Sequence, residues 1–261
     1  MPETFGDHLR AWRQRRRMSQ MDLALEAEIS TRHLSFLETG RAQPSREMVL
    51  NLSERLETPL RERNRLLVAA GFAPVYPERD LGDVQLAAAR RAVELILAAH
   101  MPYPALAADR AWNLVAANPA ALALMEGVPP SLLGPPPNVM RVGLHPDGLM
   151  RRTVNPAEWR RHLIERLRRQ VAHSADPVLA DLLDEVSAYP TPPAGDRRGD
   201  DLGGLAVPLR LVDGDRVLSF ISTTTVFGDA VDVTLAELTL ETFFPADPET
   251  ATALANAAAS T

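Results

Sequence analysis

The residues of this chain that are equipped for chemistry are mostly arginines. Lysine is absent, so all 28 side chains of fixed positive charge are guanidinium groups, a bias that GC-rich coding explains first. A guanidinium stays protonated and presents five N–H donors in a planar fork. Its chemistry is therefore the binding of carboxylates, phosphates and the edge of guanine, not proton transfer. The absence of cysteine excludes disulfides, thiolate nucleophiles and cysteine-ligated zinc or iron–sulfur centres. Histidines stand at positions 8, 33, 100, 145, 162 and 173, without HExxH or His-x-His spacing. There is no GxGxxG loop, Walker A motif or GxSxG elbow, and the acidic pair Asp200-Asp201 falls in a loop rich in Pro and Gly. This inventory predicts a binding protein, not an enzyme, with no metal or cofactor.

The charge is unevenly spread. Residues 1–75 carry 12 Arg against 10 acidic residues, a net +2, while the remainder is at −8 and the whole chain at −6. An acidic protein can still bind nucleic acid through a locally basic face, because affinity follows the phosphates neutralised at the contact. The run RQRRR at 13–17 closes an amphipathic pattern and also suits the negative end of a helix dipole as a solvated terminus. A length of 261 residues suits two domains. No apolar run reaches 18 residues, and the first residues lack the apolar core of a signal peptide, so a cytoplasmic protein without a membrane segment is expected.

The elements that would position the arginines are clearest near the N-terminus. Phe5, Leu9 and Trp12 are spaced as one face of a helix. Ser19 with Asp22 three residues on reads as an acidic capping box for Gln20–Glu26, and Leu23, Ala24 and Ala27 form its buried face. Glu28-Ile29 makes a turn, Ser30 caps a helix over Thr31–Thr39, and Gly40 suits the position after its end. Leu34 and Leu37 point inward, leaving Thr31, Arg32, His33, Ser35 and Phe36 wholly or partly outside. Two further helices follow from Ser45 and Pro59, the last ended by Gly71.

The motifs LR-x-x-R, SQ-x-x-LA and I-S-x-x-x-L-S-x-L-E-x-G-R-x-x-P, within residues 5–71, resemble the XRE/Cro-type helix-turn-helix of phage repressors. The resemblance implies double-stranded DNA as partner, with the Ser30–Thr39 helix in the major groove. Carried onto this sequence, it assigns base contacts to Thr31, Arg32 and Ser35, with His33 as a further candidate. It assigns phosphate contacts to Gln20, flanked by Arg17 and Arg41, and a structural salt bridge to Arg13 and Glu38. Phe36 departs from the polar residue common there, and either packs on sugar or a thymine methyl or finishes the core. A homodimer on an inverted repeat is implied.

Beyond residue 71 the pattern changes. Phe72–Pro77 reads as a linker, and Leu81–His100 as a long amphipathic helix that bridges the domains or pairs with a partner chain. Strands are expected at Ala105–Ala108 and Trp112–Ala116, then a short helix after Asn118-Pro119. Helices follow from Asn155 (Trp159, Leu163, Leu167 and Val171 on one face) and over Pro177–Ala188. Thr191–Asp201 reads as a flexible loop, and strands are expected over Leu205–Val212, Arg216–Phe227 and Val231–Phe243. The result is an all-α head of five helices and an α+β, PAS-like domain with a five-stranded antiparallel sheet. The expected division is 1–73 for the head, 74–102 for linker and bridging helix, 103–248 for the PAS-like domain, and 249–261 for a partly helical or disordered tail.

The segments PYPALAADRAWNLVAANPAAL, LHPDGLMRRTVNPAEWRRHLIERLRRQ and FISTTTVFGDAVDVTLAELTLETFFPAD make the chain resemble the MmyB-like transcription regulators. That resemblance implies sensing of a fatty acid or similar small apolar molecule. The candidates for a carboxylate anchor are Arg141, His145, Arg151 and Arg152, with Asn118 as hydrogen-bond donor and Trp159 and Phe220 as pocket wall. Against each stands a plain alternative: a turn histidine, solvated arginines, core aromatics. The function expected is a DNA-binding transcriptional regulator with a ligand-sensing domain. The alternative is a regulator whose second domain serves only dimerisation or protein binding.

Overall fold

A computed structural model describes residues 4–191 and 207–259. Its helices are α1 (Phe5–Arg15), α2 (Gln20–Glu26), α3 (Thr31–Glu38), α4 (Arg46–Arg55), α5 (Leu60–Ala69) and α6 (Ala87–Ala99). Then come β1 (Ala105–Ala108), β2 (Leu114–Ala117), α7 (Pro119–Leu124), α8 (Val139–Leu144), α9 (Pro156–Ser174) and α10 (Pro177–Ala188). The chain ends with β3 (Leu209–Asp213), β4 (Arg216–Val226), α11 (Val233–Ala236), β5 (Thr239–Pro245) and α12 (Pro248–Ala259). Two compact units result: Met1–Arg79 with Asp229–Ala236, and Asp80–Gly228 with Glu237–Thr261.

In the first unit, local capping explains where the helices start. Thr4 with Asp7 and Ser19 with Asp22 form reciprocal capping boxes, and Ser30 and Ser45 each accept the N–H of the residue three positions on. Leu9, Leu23, Leu34, Leu37, Leu52 and Leu67 form the fully buried core, and the small Ala24 is buried beside Leu23 on α2. Gly6 lets α1 lie against the end of α3, since a Cβ there would stand 2.6 Å from the carbonyl oxygen of Glu38. Gly6→Ala is therefore expected to lower the unfolding free energy by about 1–3 kcal/mol in urea melts, because a backbone atom must give way.

The expected linker is part of this unit. Asn64 brackets it: Oδ1 accepts from the N–H groups of Val75 (3.0 Å) and Tyr76 (3.1 Å), and Nδ2 donates to the Tyr76 carbonyl (2.7 Å). The segment Asp229–Ala236 also belongs here, which corrects the expectation of one strand over Val231–Phe243. The Val233 side chain is fully buried and its N–H donates to the Pro77 carbonyl at 2.8 Å. Arg79 donates to Asp232 (2.8 Å) and accepts from the Thr234 hydroxyl at its carbonyl (2.6 Å).

The second unit is built on an antiparallel sheet of order β2-β1-β5-β4-β3. β4 and β5 pair from Phe220↔Pro245 to Val226↔Thr239, and β1 is buried along its whole length. Strand β2 starts two residues later than expected, because Trp112 adopts a left-handed backbone (φ 64°) that lengthens the turn after β1. The 87–99 helix starts after a short 3-10 turn and buries Val93 and Leu97, while Ile96 stays exposed. A helix not foreseen in the sequence, α8, follows the cap Asn138 and buries Met140, Val142 and Leu144. The C-terminal segment is not a loose tail: α12 buries Ala253 and Thr250, and the Thr250 hydroxyl accepts the Ser219 N–H at 2.9 Å. All but the first residue of the loop expected over 191–201, and the start of the Leu205 strand, lie outside the described residues.

Candidate functional site

The first candidate surface is the N-terminal half of α3. Ser30 turns the chain into the helix, and Thr31 and Arg32 are exposed in its first turn, with His33 and Ser35 half-buried. Thr31, Arg32 and Ser35 lie within one turn on a shared side, as positions i, i+1 and i+4. The Arg32 guanidinium sits 5.3 Å from the Phe36 ring centroid. Phe36 thus acts as a half-buried platform that restricts the arginine, a role not among the readings from sequence.

Behind this face lies a polar hub. Glu38 is buried, and its carboxylate receives Arg13 Nε (2.6 Å), Arg13 Nη2 (3.0 Å) and Gln20 Nε2 (2.8 Å). Arg13 also donates to the Met18 carbonyl at 2.8 Å, tying down the turn before α2. Arg13 and Glu38 thus join α1 to α3, and the same carboxylate aims the Gln20 amide. Arg17, in a left-handed conformation (φ 57°), and Arg41 are both exposed.

Burial pushes the Glu38 carboxyl up, but hydrogen bonds from Arg13 and Gln20 and the charges of Arg13 and Arg10 outweigh it and leave it below its ordinary 4.5. A carboxylate depressed in the folded state contributes stability above its unfolded value and loses it as pH falls through the folded one. Stability of the chain should therefore fall as pH drops below about 4.5. Glu38→Gln should flatten that part of the slope in urea melts run between neutral and acid pH.

The second candidate site is a cavity of about 70 Å³ inside the sensor-like unit, walled by Leu106, Trp112, Met140, Trp159, Leu163 and Phe243 among others. Its polar lining comes from two charged residues, Arg166 and Glu241. They form a two-pronged ion pair, Nη1 to Oε1 at 2.8 Å and Nη2 to Oε2 at 2.6 Å, and Arg166 Nη2 also donates to the Thr224 hydroxyl at 2.8 Å. The guanidinium lies 4.6 Å from the Trp112 ring centroid, and the indole N–H of Trp112 donates to Gln170 at 2.9 Å. His162 stacks on Trp159 at 5.3 Å, and burial, then the charges of Arg166 and Arg169, hold its pKa below the ordinary value.

The ligand candidates from sequence are scattered. Trp159 lines the cavity, and Phe220 is wholly buried with its ring set edge-on to Phe243. Asn118 has a structural engagement: Oδ1 accepts from Ala105 and Ala121 (3.0 Å each), and Nδ2 donates to the carbonyls of Leu97 (3.1 Å) and Tyr103 (2.8 Å). Arg141 forms a two-pronged pair with Glu185, at 2.8 and 2.7 Å. His145 accepts the Asp147 N–H at 3.1 Å and meets the Tyr189 ring edge-on. Arg151 is exposed, and Arg152 donates to the Leu124 carbonyl. Asn118, Arg141, His145 and Arg151 are not among the cavity-lining residues.

Neither Arg166 nor Glu241 is among the ligand candidates drawn from the sequence, in which Arg166 counts with the polar-face arginines of the helix from Asn155. The available signal was helical spacing: Trp159, Leu163 and Arg166 are positions i, i+4 and i+7 of α9 and share its inward face. Glu241 had no such mark, since a lone carboxylate in a strand ordinarily faces water.

Among the described residues, no helix is long and apolar enough to cross a membrane, and no group of His, Asp or Glu is arranged to hold a metal ion. A search of curated proteins finds no match to the chain. Family models match twice: a helix-turn-helix domain over residues 4–66, and the MmyB-like transcription regulator ligand binding domain over residues 89–257. With a DNA-binding helix-turn-helix at one end and that domain over most of its length, the chain belongs to the MmyB-like transcription regulators.

Proposed function

We propose that this regulator binds a specific operator as a homodimer on an inverted repeat, and that its second domain senses a small apolar molecule such as a fatty acid. Two α3 helices in successive major grooves would stand about 34 Å apart. Thr31, Arg32 and Ser35, with His33 at their edge, read bases; Arg17, Gln20 and Arg41 hold phosphates. The site of action is the cytoplasm. The observation that carries the sensing half is the apolar cavity lined by one charged pair, a half-buried Arg166 and a buried Glu241, set inside the domain that matches a ligand-binding family.

The ligand acts by favouring one arrangement of the heads, which requires that it bind that arrangement better. One observation favours a second reading, in which the domain serves only dimerisation or protein binding. The cavity holds about 70 Å³, whereas pockets for drug-sized ligands run to roughly 300–1,000 Å³. A long acyl chain would have to open it, moving flexible wall residues such as Met125 and Met140. Native mass spectrometry of the full chain separates the two readings. A co-purified lipid supports sensing; a dimer of bare chain mass that no lipid extract shifts, with an operator footprint equally indifferent to the extract, overturns it.

A further inference from the structure

We infer that the cavity takes a ligand with an uncharged, hydrogen-bonding head group and discriminates against an anionic one, and that Glu241 sets this preference. The inference rests on the sensing reading and deepens it.

An apolar cavity ending in an arginine suggests a carboxylate ligand, because a guanidinium matches a carboxylate in a two-pronged fit. Here that fit is already made inside the protein. Glu241 occupies both terminal nitrogens of Arg166, at 2.8 and 2.6 Å, and its side chain is only 5% exposed. The polar end of the cavity is thus one closed pair of zero net charge. Among the described residues that line the cavity, no cation other than Arg166 stands ready for an incoming anion, and burial, then the charges of Arg166 and Arg169, keep the nearby His162 toward its neutral form.

A ligand carboxylate would meet one of two outcomes. It would displace Glu241, leaving a buried carboxylate without its partner, or it would add a second negative charge beside one cation. Both are unfavourable beside a carboxylate that is only 5% exposed. An amide or alcohol meets neither problem, because it can donate to Glu241 or accept from Arg166 while the pair stays closed. A carboxylic acid enters this cavity in its protonated form. Trp112, under the guanidinium, and Trp159, on the same wall, place two indoles at the site as reporters.

The test uses the full chain and ligands of one chain length: octanamide, octan-1-ol and octanoate, titrated calorimetrically at neutral pH. Octanamide is expected to bind at least about tenfold more tightly than octanoate, and Glu241→Gln should reverse the order by freeing the Arg166 fork. The reversal separates this mechanism from a general preference of apolar cavities for uncharged molecules. Octanoate binding as tightly as octanamide to the unmodified protein overturns the inference, as does a folded Glu241→Gln variant with an unchanged ratio. Should that variant fail to fold, the carbon NMR shift of bound octanoic acid labelled at its carboxyl carbon decides with the unmodified chain. A protonated bound acid supports the inference, and an ionised one overturns it. If none of the three ligands binds, the sensing reading falls and takes this inference with it.

Discussion

Replacing Glu38 by alanine is expected to lower the unfolding free energy of the chain by about 3–5 kcal/mol, because it leaves a buried cation without its partner. Arg13 is 11% exposed and gives two hydrogen bonds to this carboxylate, and Gln20 gives a third. The loss is large beside the roughly 5–15 kcal/mol that holds an ordinary domain together. Glu38→Gln keeps shape and one acceptor oxygen, so it should cost less. The measurement is a urea melt of each variant, paired with an operator-binding titration. A loss under about 1 kcal/mol for the alanine variant would show that the hub is a surface ion pair in energetic terms.

Arg32→Ala should weaken operator binding by about 1–3 kcal/mol for each head, hence by about 2–6 kcal/mol for a dimer, and relax the preference at one base pair in each half-site. The structure adds a reason to expect the upper part of that range. Arg32 lies against the Phe36 ring, so part of the entropy of fixing a long side chain is lost before DNA arrives. Gln20→Ala should weaken all sequences alike and leave the base preference intact. Binding to a panel of operators with single substitutions distinguishes the two. Equal loss for both variants on every sequence would remove Arg32 from base reading.

Most of the head was legible in the sequence, because its determinants are local. Ser19, Ser30 and Gly40 mark helix ends by backbone chemistry, and the Leu23/Leu34/Leu37 spacing fixes which faces turn inward. The sheet of the second unit was legible for a similar reason, since β4 is a long run of β-branched and aromatic residues. What escaped depends on partners far along the chain. Nothing near Val233 announces that it is buried beside Pro77, and nothing near Glu241 announces an arginine 75 residues away. Arg141 and His145 had the composition of an anion site, but Glu185 and Tyr189 engage them first. Periodicity reports which side of an element is apolar, and is silent on which long-range partner claims a polar group.

The lodging of Asp229–Ala236 with the head bears on how such regulators can be recombined. The polypeptide passes between its two units at 79/80, at 228/229 and again at 236/237, so no single cut separates them. A chimera that joins this head to a foreign sensor at residue 79 would leave behind Asp232, Val233 and Thr234, and with them the acceptor for Arg79 and an apolar plug. Transplanting the head therefore calls for grafting that eight-residue piece into a hairpin of the new host. A sequence boundary drawn near residue 79 therefore marks a change of composition more than a place to divide the chain.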